Sequence, residues 1–396
     1  MRLQSLLPLS LLGLTSLTTA RYSINLPPLL STGPITADYR TPSLDQSDLD
    51  SPKLPRANES TLDWWHFDAI AVENPNASVA ITFSNAGPGG FPLALPNASY
   101  VAPNGTTSPG AGMLREGEEG PALWAHIVIT FPDGRSFRHV QAAESARIHG
   151  SGDSSVAIWH GAGGWMGSEE GYEVEIIVNQ PGVNVTGGIS MERVTEPHTL
   201  CSTPTNFSNA LALGNAGLGW VGVMPDAMAR VDVTVNGERL AFEGYGYHDK
   251  VWSTRPFTSS VGTLHRGRAH LGLYSLLWLS YAPAGANADP ETTIVSSFLA
   301  RDGETISAGC DTGSLTITPG TEQTEGGLVS GFQIAFPGAA VSVADDNELA
   351  GMGEGEAEGL GWVSTGRGHT RWNGRARGLV EGVDEEGVAI FERFEY

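Results

Sequence analysis

The sequence predicts an all-β protein, and three observations support this prediction. Short β-branched segments bounded by turn residues recur at 78–83, 125–131 and 172–178, as is typical of strands. Asp-Gly and Asn-Gly pairs stand between apolar runs at 133–134 and 236–237, which strongly indicates β-hairpins. No segment of ten or more residues has the period of an amphipathic helix. We therefore expect β-sandwiches or barrels, joined by tight turns.

The chain divides into four parts. Residues 1–20 have the features of a secretory signal peptide: Arg2, a short apolar stretch and a small-residue cleavage site. The proline-rich residues 21–60 have little periodicity and are interpreted as an extended arm. The predicted strands then form two comparable sets, assigned to residues 61–245 and 246–396. Glycine-rich segments at 161–165 and 351–361 are predicted to be loops.

The leader predicts a secretory localisation, in which the protein is secreted or kept in a vesicle lumen. Two cysteines, Cys201 and Cys310, fit one disulfide in such an oxidising compartment, and two separate buried thiols are the alternative. Asn-x-Ser/Thr triplets mark candidate glycosylation sites. These are Asn58, Asn76, Asn97, Asn104, Asn184 and Asn206.

The net charge of −22 excludes several classes of partner. Nucleic acids and anionic membrane surfaces are bound by clustered Lys and Arg, and the sequence has no such cluster. The apolar run of the leader is too short to span a bilayer core, and no later segment is apolar enough for membrane insertion. The spacing of His and Cys predicts no metal site. We expect a small-molecule ligand that is neutral, or that meets a local positive group inside a pocket.

Two clusters of aromatic and polar residues are the candidate functional segments: LDWWHFDA at 62–69 and GYGYHDKVW at 244–252. Strand alternation separates each cluster into two faces. In the first, Asp63, Trp65 and Phe67 share one face, and Trp64, His66 and Asp68 the other. In the second, one face holds Tyr245, Tyr247, Asp249 and Val251, and the other Gly244, Gly246, His248, Lys250 and Trp252. The alternative is that these aromatic residues pack in the core.

Together the two clusters resemble the motifs of the fungal lipocalin-like Diels-Alderases, a group also described as hydroxyneurosporene synthase-like. The closing segment, RWNGRARGLVEGVDEEGVAIFERFEY at 371–396, is similar to the last strands of that family. Val251 replaces the usual Asn, and Ser253 stands where Gly often follows. The resemblance spans residues 60–396.

The resemblance implies a β-sandwich-like N-terminal domain and a C-terminal lipocalin-like β-barrel, with the substrate between them. It implies a pericyclase that needs no cofactor and catalyses a stereoselective [4+2] cycloaddition, carbocyclic or hetero, in secondary metabolism. The substrate would be an apolar polyene or a quinone-methide-like compound, supplied by an upstream polyketide synthase or terpene cyclase. Carried over by position, the residues with a catalytic role are Lys250, Asp63 and Tyr247. Those expected to bind substrate are Trp65, Phe67, Tyr245, His248 and Trp252.

A pericyclic step needs no nucleophile, but a positive charge near a substrate carbonyl would stabilise the charge that grows in the transition state. Lys250 is the candidate for this role, and a hydroxyl of Tyr245 or Tyr247 is an alternative. Lys250 could instead form a structural salt bridge to Asp63 or Asp68, since buried lysines are usually paired. Other functions also fit the sequence: a non-catalytic lipocalin-like carrier, or a hydratase or isomerase acting on an isoprenoid.

Overall fold

A computed structural model describes residues 20–39, 41, 43–90, 100–101, 107–108, 120–201, 211–213, 217–285, 292–319, 331–345 and 368–396. The two helices described are one turn long each, α1 (Gln46–Leu49) and α2 (Phe257–Ser260), and neither could cross a membrane. The strands are β1 (Ala20–Leu26), β2 (Leu62–Ala71), β3 (Ser78–Ala86), β4 (Tyr100–Val101), β5 (Thr107–Ser108), β6 (Leu123–Thr130), β7 (Ser136–Ala142), β8 (Ala146–Ser151), β9 (Ser154–Trp159), β10 (Gly163–Gly167), β11 (Gly171–Gln180), β12 (Val183–Arg193), β13 (Leu218–Val235), β14 (Glu238–Ser253), β15 (Val261–Leu271), β16 (Tyr274–Pro283), β17 (Ile294–Arg301), β18 (Glu304–Gly309), β19 (Thr316–Pro319), β20 (Gly331–Phe336), β21 (Ala339–Asp345), β22 (His369–Val380) and β23 (Val383–Glu395). The predicted all-β fold is confirmed.

Two large sheets contain nearly all of these strands, and each curls into a half-barrel. The first sheet has twelve strands in the order β1-β8-β9-β10-β11-β12-β13-β14-β2-β3-β6-β7. The second has nine, in the order β18-β17-β16-β15-β23-β22-β21-β20-β19. A two-stranded pair, β4 and β5, is separate from both. The order places β2 beside β14, so the two sequence clusters are adjacent although nearly 180 residues separate them.

The hairpins form where turn residues predicted them. Asn236 and Gly237, with φ values of 50° and 91°, connect β13 to β14, as expected for a two-residue turn that needs positive φ twice. Asp133 and Gly134 lie in the connection between β6 and β7. Both hairpin predictions are therefore confirmed.

The prediction of a loop at 161–165 was wrong, because Gly163–Gly167 forms β10. Its glycines allow the neighbouring strands to approach closely. A Cβ atom at Gly164 would lie 2.1 Å from the carbonyl oxygen of Ala157. The second predicted loop, at 351–361, lies outside the described residues.

The sequence boundary between the sheets lies later than the predicted division at residue 245. A single strand, β14, runs through that position to Ser253, and the second sheet begins at Val261. The predicted arm, 21–60, contributes β1, which pairs with β8 at the edge of the first sheet, and α1. Its Asp50 and Leu54 are fully buried.

Each sheet encloses a core of its own, and a third cluster joins the sheets. Trp65, Phe83 and Trp159 are buried in the first core, while the second core contains residues such as Trp278 and Phe391. The third cluster combines apolar residues from both sheets, including Trp64 and Trp220 of the first and Leu277, Phe298 and Phe394 of the second. The two sheets therefore pack face to face through β2, β13 and β14 on one side.

Cys201 and Cys310 are joined by a disulfide, with their Cα atoms 5.1 Å apart. Cys201 follows β12 of the first sheet, and Cys310 follows β18 of the second. The two cysteines are 109 residues apart in the sequence. The disulfide therefore links the segment after β12 covalently to the second sheet.

Candidate active site at the interface of the two sheets

The two clusters pair directly across the first sheet. In the antiparallel pairing of β14 with β2, Lys250 lies opposite Trp65, His248 opposite Phe67, and Trp252 opposite Asp63. Because paired residues point to the same face, these six side chains form one group inside the first core. None of the six is exposed.

Lys250 forms a salt bridge with Asp63, and its amine lies 3.5 Å from the ring centroid of Trp65. Burial lowers the pKa of Lys250 to about 8, against the opposing effect of the Asp63 carboxylate. Burial also raises the pKa of Asp63, although Lys250 and two backbone N–H groups act to lower it. Those N–H groups belong to Lys53 and Leu54, at 2.7 Å and 3.1 Å. The salt-bridge alternative for Lys250 is the one that these contacts support.

The other lysine of the chain is close by. The Nζ atoms of Lys53 and Lys250 lie 5.8 Å and 5.9 Å from the ring centroid of Trp252, one from the arm and one from β14. Lys53 donates through Nζ to the carbonyl of Asp48 and to Ser51, each at 2.8 Å. The two lysines thus both help to fix the arm and β14 around Trp252 and Asp63.

Each ring nitrogen of His248 lies within hydrogen-bond distance of an acceptor oxygen. Its Nδ1 lies 2.9 Å from the carbonyl oxygen of His66, and its Nε2 lies 2.9 Å from Asp50. The ring stacks on Phe67 with a centroid distance of 4.0 Å. Asp50 also accepts hydrogen bonds from Ser155 and Tyr172. His248 therefore ties Asp50, the residue that follows α1, to the centre of the first sheet.

The two tyrosines lie on the opposite face of β14. The Tyr247 hydroxyl donates to Asp249 at 3.1 Å, and Tyr245 stacks on His270 of β15 with a centroid distance of 3.5 Å. The residues predicted for catalysis are therefore not brought together, because Tyr247 faces the second sheet while Lys250 and Asp63 face the first core. Alternation along a strand separates them, as the sequence already implied.

A cavity lies between the two sheets. Its volume is about 20 Å³, enough for about one water molecule. The first sheet contributes residues of β2, β3 and β6, and the second contributes residues of β15, β22 and β23. The lining residues are Trp64, His66, Ala80, Thr82, His126, Val128, Arg266, His369, Arg371, Glu392 and Phe394. None of the eight residues predicted to act on or bind substrate is among them.

Six buried charges alternate beside this cavity and form what is called here the interface network. Arg266 bonds both Asp249 and Glu392, and Arg371 bonds both Glu392 and Asp68. Arg268 completes the series with a 2.6 Å contact to Asp68. In sequence order, the network consists of Asp68, Asp249, Arg266, Arg268, Arg371 and Glu392.

The network is electrically balanced, with three carboxylates and three guanidiniums. Burial alone would raise the pKa of Glu392, but Arg266 and Arg371 outweigh it and hold that pKa well below its usual range. Arg371 uses two of its five N–H groups in its ion pairs within the described part of the chain. The cavity thus offers charged hydrogen-bond donors between the aromatic side chains of Trp64 and Phe394.

Sequence reasoning missed most of the cavity residues, since they come from six strands. One signal was available: Arg266, Arg268 and His270 alternate on β15, which indicates a basic face on a single strand. The carboxylates that would neutralise that face, Asp68 and Glu392, are more than 300 residues apart. Their meeting follows from the packing of one sheet on the other.

Comparisons with known proteins agree with this architecture. The model of the Diels-Alderase-like family matches residues 101–315, more than half of the chain. Quinolone epoxide rearrangement protein asqO of Emericella nidulans is 29% identical over 276 residues, 69% of this chain and 67% of that protein. Diels-Alderase pyiF of Pyricularia grisea is 24% identical over 359 residues, 87% and 77% of the two chains.

A solved structure shares the fold. The crystal structure of CghA with Sch210972 superimposes with a TM-score of 0.63, covering 93% of this chain and 98% of that one, at 14% sequence identity. Identity this low shows the fold alone. The family match itself covers β4 to β18, including most of the first sheet and the start of the second. The resemblance seen in the sequence motifs is therefore confirmed: this chain belongs to the Diels-Alderase-like family.

Proposed function

We propose that this protein is a pericyclase without a cofactor that catalyses a stereoselective [4+2] cycloaddition, with the substrate bound between the two sheets. The observation that carries the site assignment is the cavity bounded by Trp64, Phe394 and two cationic side chains, Arg266 and Arg371. Family membership supports the reaction class.

The cavity offers what such a reaction needs. Aromatic walls hold a flexible chain in a folded conformer, which lowers the entropic part of the barrier. Guanidinium N–H groups fixed by the interface network stabilise negative charge on a substrate carbonyl without reorganising during the reaction. Because the cavity holds about one water, we expect substrate binding to move the two sheets apart locally.

The first experiment compares metabolites of a deletion strain with those of its parent. We expect one cyclic product to disappear and an uncyclised precursor to accumulate, and we expect the purified protein to convert that precursor. Unchanged chemistry together with altered export would instead indicate a carrier. No conversion by the purified wild-type protein would refute the proposed function.

A pair of arginines on β22 tests the location of the site. Arg371→Gln removes a donor at the cavity, and we expect a loss of about 10²–10³ in kcat, the usual effect of deleting one such donor. Arg375→Gln is the matched control, since Arg375 lies four residues further along the same strand and on the same face, is partly exposed and is 4.0 Å from Glu386. Equal activity of the two variants, both folded, would place the site elsewhere.

A second candidate reaction is the rearrangement of an epoxide. The similarity to quinolone epoxide rearrangement protein asqO favours it. The same deletion strain distinguishes the two reactions, because an epoxide would accumulate in place of a linear polyene.

We also propose the secretory pathway as the location, with polyketide or terpenoid enzymes upstream supplying the substrate. The Cys201–Cys310 disulfide supports an oxidising compartment. Of the candidate glycosylation sites, Asn184 is exposed at the start of β12, and Asn58 and Asn76 are half-buried. Asn97, Asn104, Asn206 and residues 1–19 of the predicted leader 1–20 lie outside the described residues. Endoglycosidase treatment of the native protein should shift its mobility, and an unchanged band would argue against glycosylation.

A further inference from the structure

A hydroxyl and an imidazole line the cavity between the two sheets, and a carboxylate lies behind the imidazole. The Thr82 hydroxyl lies 2.8 Å from Nδ1 of His66, and Nε2 of His66 lies 3.1 Å from Asp68. Thr82 and His66 are directly paired across β3 and β2, and both line the cavity. Asp68 follows two residues after His66 and so points to the same face.

The surroundings of Asp68 fix the direction of these hydrogen bonds. Burial alone would raise the pKa of Asp68, but Arg268 and Arg371 outweigh it and hold the pKa far below its usual range. Asp68 is therefore a carboxylate, which can only accept, so Nε2 of His66 carries a hydrogen. In the neutral ring Nδ1 then has a lone pair, and the Thr82 hydroxyl donates to it.

This direction leaves the lone pairs of the Thr82 oxygen available toward the cavity. A substrate hydroxyl can donate a proton to that oxygen while the hydroxyl proton of Thr82 moves to His66. The imidazolium that results is stabilised by Asp68, and the substrate oxyanion by Arg266 and Arg371 on the same cavity. The groups that face His66 are thus arranged for proton transfer.

Two other polar histidine pairs in the described part of the chain lack at least one of these features. His198 lies 2.8 Å from the hydroxyl of Ser296, but it has no carboxylate partner and does not line the cavity. His248 pairs with Asp50, but both are fully enclosed in the first core. The row of Thr82, His66 and Asp68 combines a hydroxyl and an imidazole that line the cavity with a carboxylate behind them.

We propose that Thr82 and His66 form a proton-transfer site for an acidic hydroxyl of the substrate, and that Asp68 positions His66. The substrate class is a polyene or heterodiene conjugated to an enol or phenol. The substrate O–H bond breaks and a new O–H bond forms on Thr82, while the former O–H bond of Thr82 breaks and N–H forms on His66. After cycloaddition the same protons return, so no co-reactant is consumed.

The proton transfer would accelerate cycloaddition, because an oxyanion conjugated to the diene donates more electron density to the reacting carbons than a hydroxyl does. This inference rests on the proposed function, since it takes the interface cavity as the reaction site. It adds the chemical group that the substrate must carry and the residues that act on it.

The test uses the precursor purified from the deletion strain and its O-methyl ether, in which the hydroxyl is blocked. We expect Thr82→Val to slow conversion of the free precursor by about 10²-fold or more, the usual contribution of general base catalysis. Thr82→Ser, which restores the hydroxyl, should retain most of the wild-type rate by the same reasoning. Ser296→Ala is the matched control, as it removes a hydroxyl from a buried histidine pair away from the cavity.

The O-methyl ether separates chemistry from structure. On this substrate we expect wild type and Thr82→Val to react at the same slow rate, because there is no proton to transfer. The proposal would be overturned if Thr82→Val were also slower than wild type on the ether. It would equally be overturned if all variants converted the free precursor at the same rate. If Thr82→Val does not fold, the wild-type protein alone still tests the proposal. Equal rates of wild type on the ether and on the free precursor would overturn it. Wild type that converts neither compound refutes the proposed function itself.

Discussion

Replacing Lys250 with methionine tests whether this lysine is structural. Met has a similar apolar length but no charge, so the change removes the salt bridge to Asp63 and the contact with the Trp65 ring. Asp63 remains fully buried and keeps its two backbone N–H donors. The variant therefore leaves one carboxylate without its cation inside the first core.

The free energy of unfolding that is lost in Lys250→Met can be calculated from the ionisation of Asp63. An isolated buried carboxylate takes up a proton, and neutralising an acid of ordinary pKa 3.8 at pH 7 costs about 1.36 × 3.2, or about 4 kcal/mol. This agrees with the ~3–5 kcal/mol that breaking a buried ion pair usually costs. At pH 5 the same calculation gives about 1.6 kcal/mol.

The sign of the pH dependence follows from the direction of the shift. With Lys250 removed, the folded-state pKa of Asp63 lies further above its unfolded value, so the folded protein holds a proton that the unfolded chain has lost. Stability then decreases as the pH rises from 3.8 toward the folded pKa. The deficit of Lys250→Met should accordingly be larger at pH 7 than at pH 5, by at most about 2–3 kcal/mol, because the already raised pKa of Asp63 gives wild type part of the same pH dependence.

Urea unfolding followed by tryptophan fluorescence at pH 5, 6 and 7 measures these differences. Adding Asp63→Asn, which keeps an acceptor for the N–H groups of Lys53 and Leu54, should recover most of the loss and remove its pH dependence. The product ratio of the folded variant should equal that of wild type. A loss below about 1 kcal/mol, independent of pH, would refute the ion-pair argument. A changed product ratio would instead support the catalytic role predicted from the sequence.

Three further predictions concern stability. Burial lowers the pKa of His198 to about 3, so stability should fall as the pH drops below 6.5, by about 2 kcal/mol per histidine at pH 5. His198→Gln should flatten that pH profile in urea titrations, and an unchanged slope would contradict this account. Gly164→Ala should lower the melting temperature sharply, because its Cβ would lie 2.1 Å from the carbonyl oxygen of Ala157, and a melting point near that of wild type would show that β9 and β10 can separate. Changing both Cys201 and Cys310 to Ser should cost about 4–5 kcal/mol in urea unfolding, since the bond closes a loop of about 100 residues. A loss under about 1 kcal/mol would mean that the unfolded chain is already compact.

Much of the fold could be predicted because its signals are local. The turn at Asn236 and Gly237 needs positive φ at two consecutive residues, which those residue types adopt easily. Strand alternation separated Trp65 from His66 and Lys250 from Tyr247 without any tertiary information. Gly164 misled the prediction because a glycine that allows strands to approach closely has the same local signature as a glycine in a loop.

By itself, then, the sequence indicated many of the strands, though not β1 or β10, together with the two hairpins, the family motifs and the two faces of β2 and β14. It did not determine which face meets the second sheet, because alternation is symmetric and either face could be buried. Only the tertiary structure enclosed Lys250 and Asp63 in the first core and turned His66 and Asp68 toward Arg371. The physical reason is that charges brought from distant strands neutralise one another only after the two sheets have packed together.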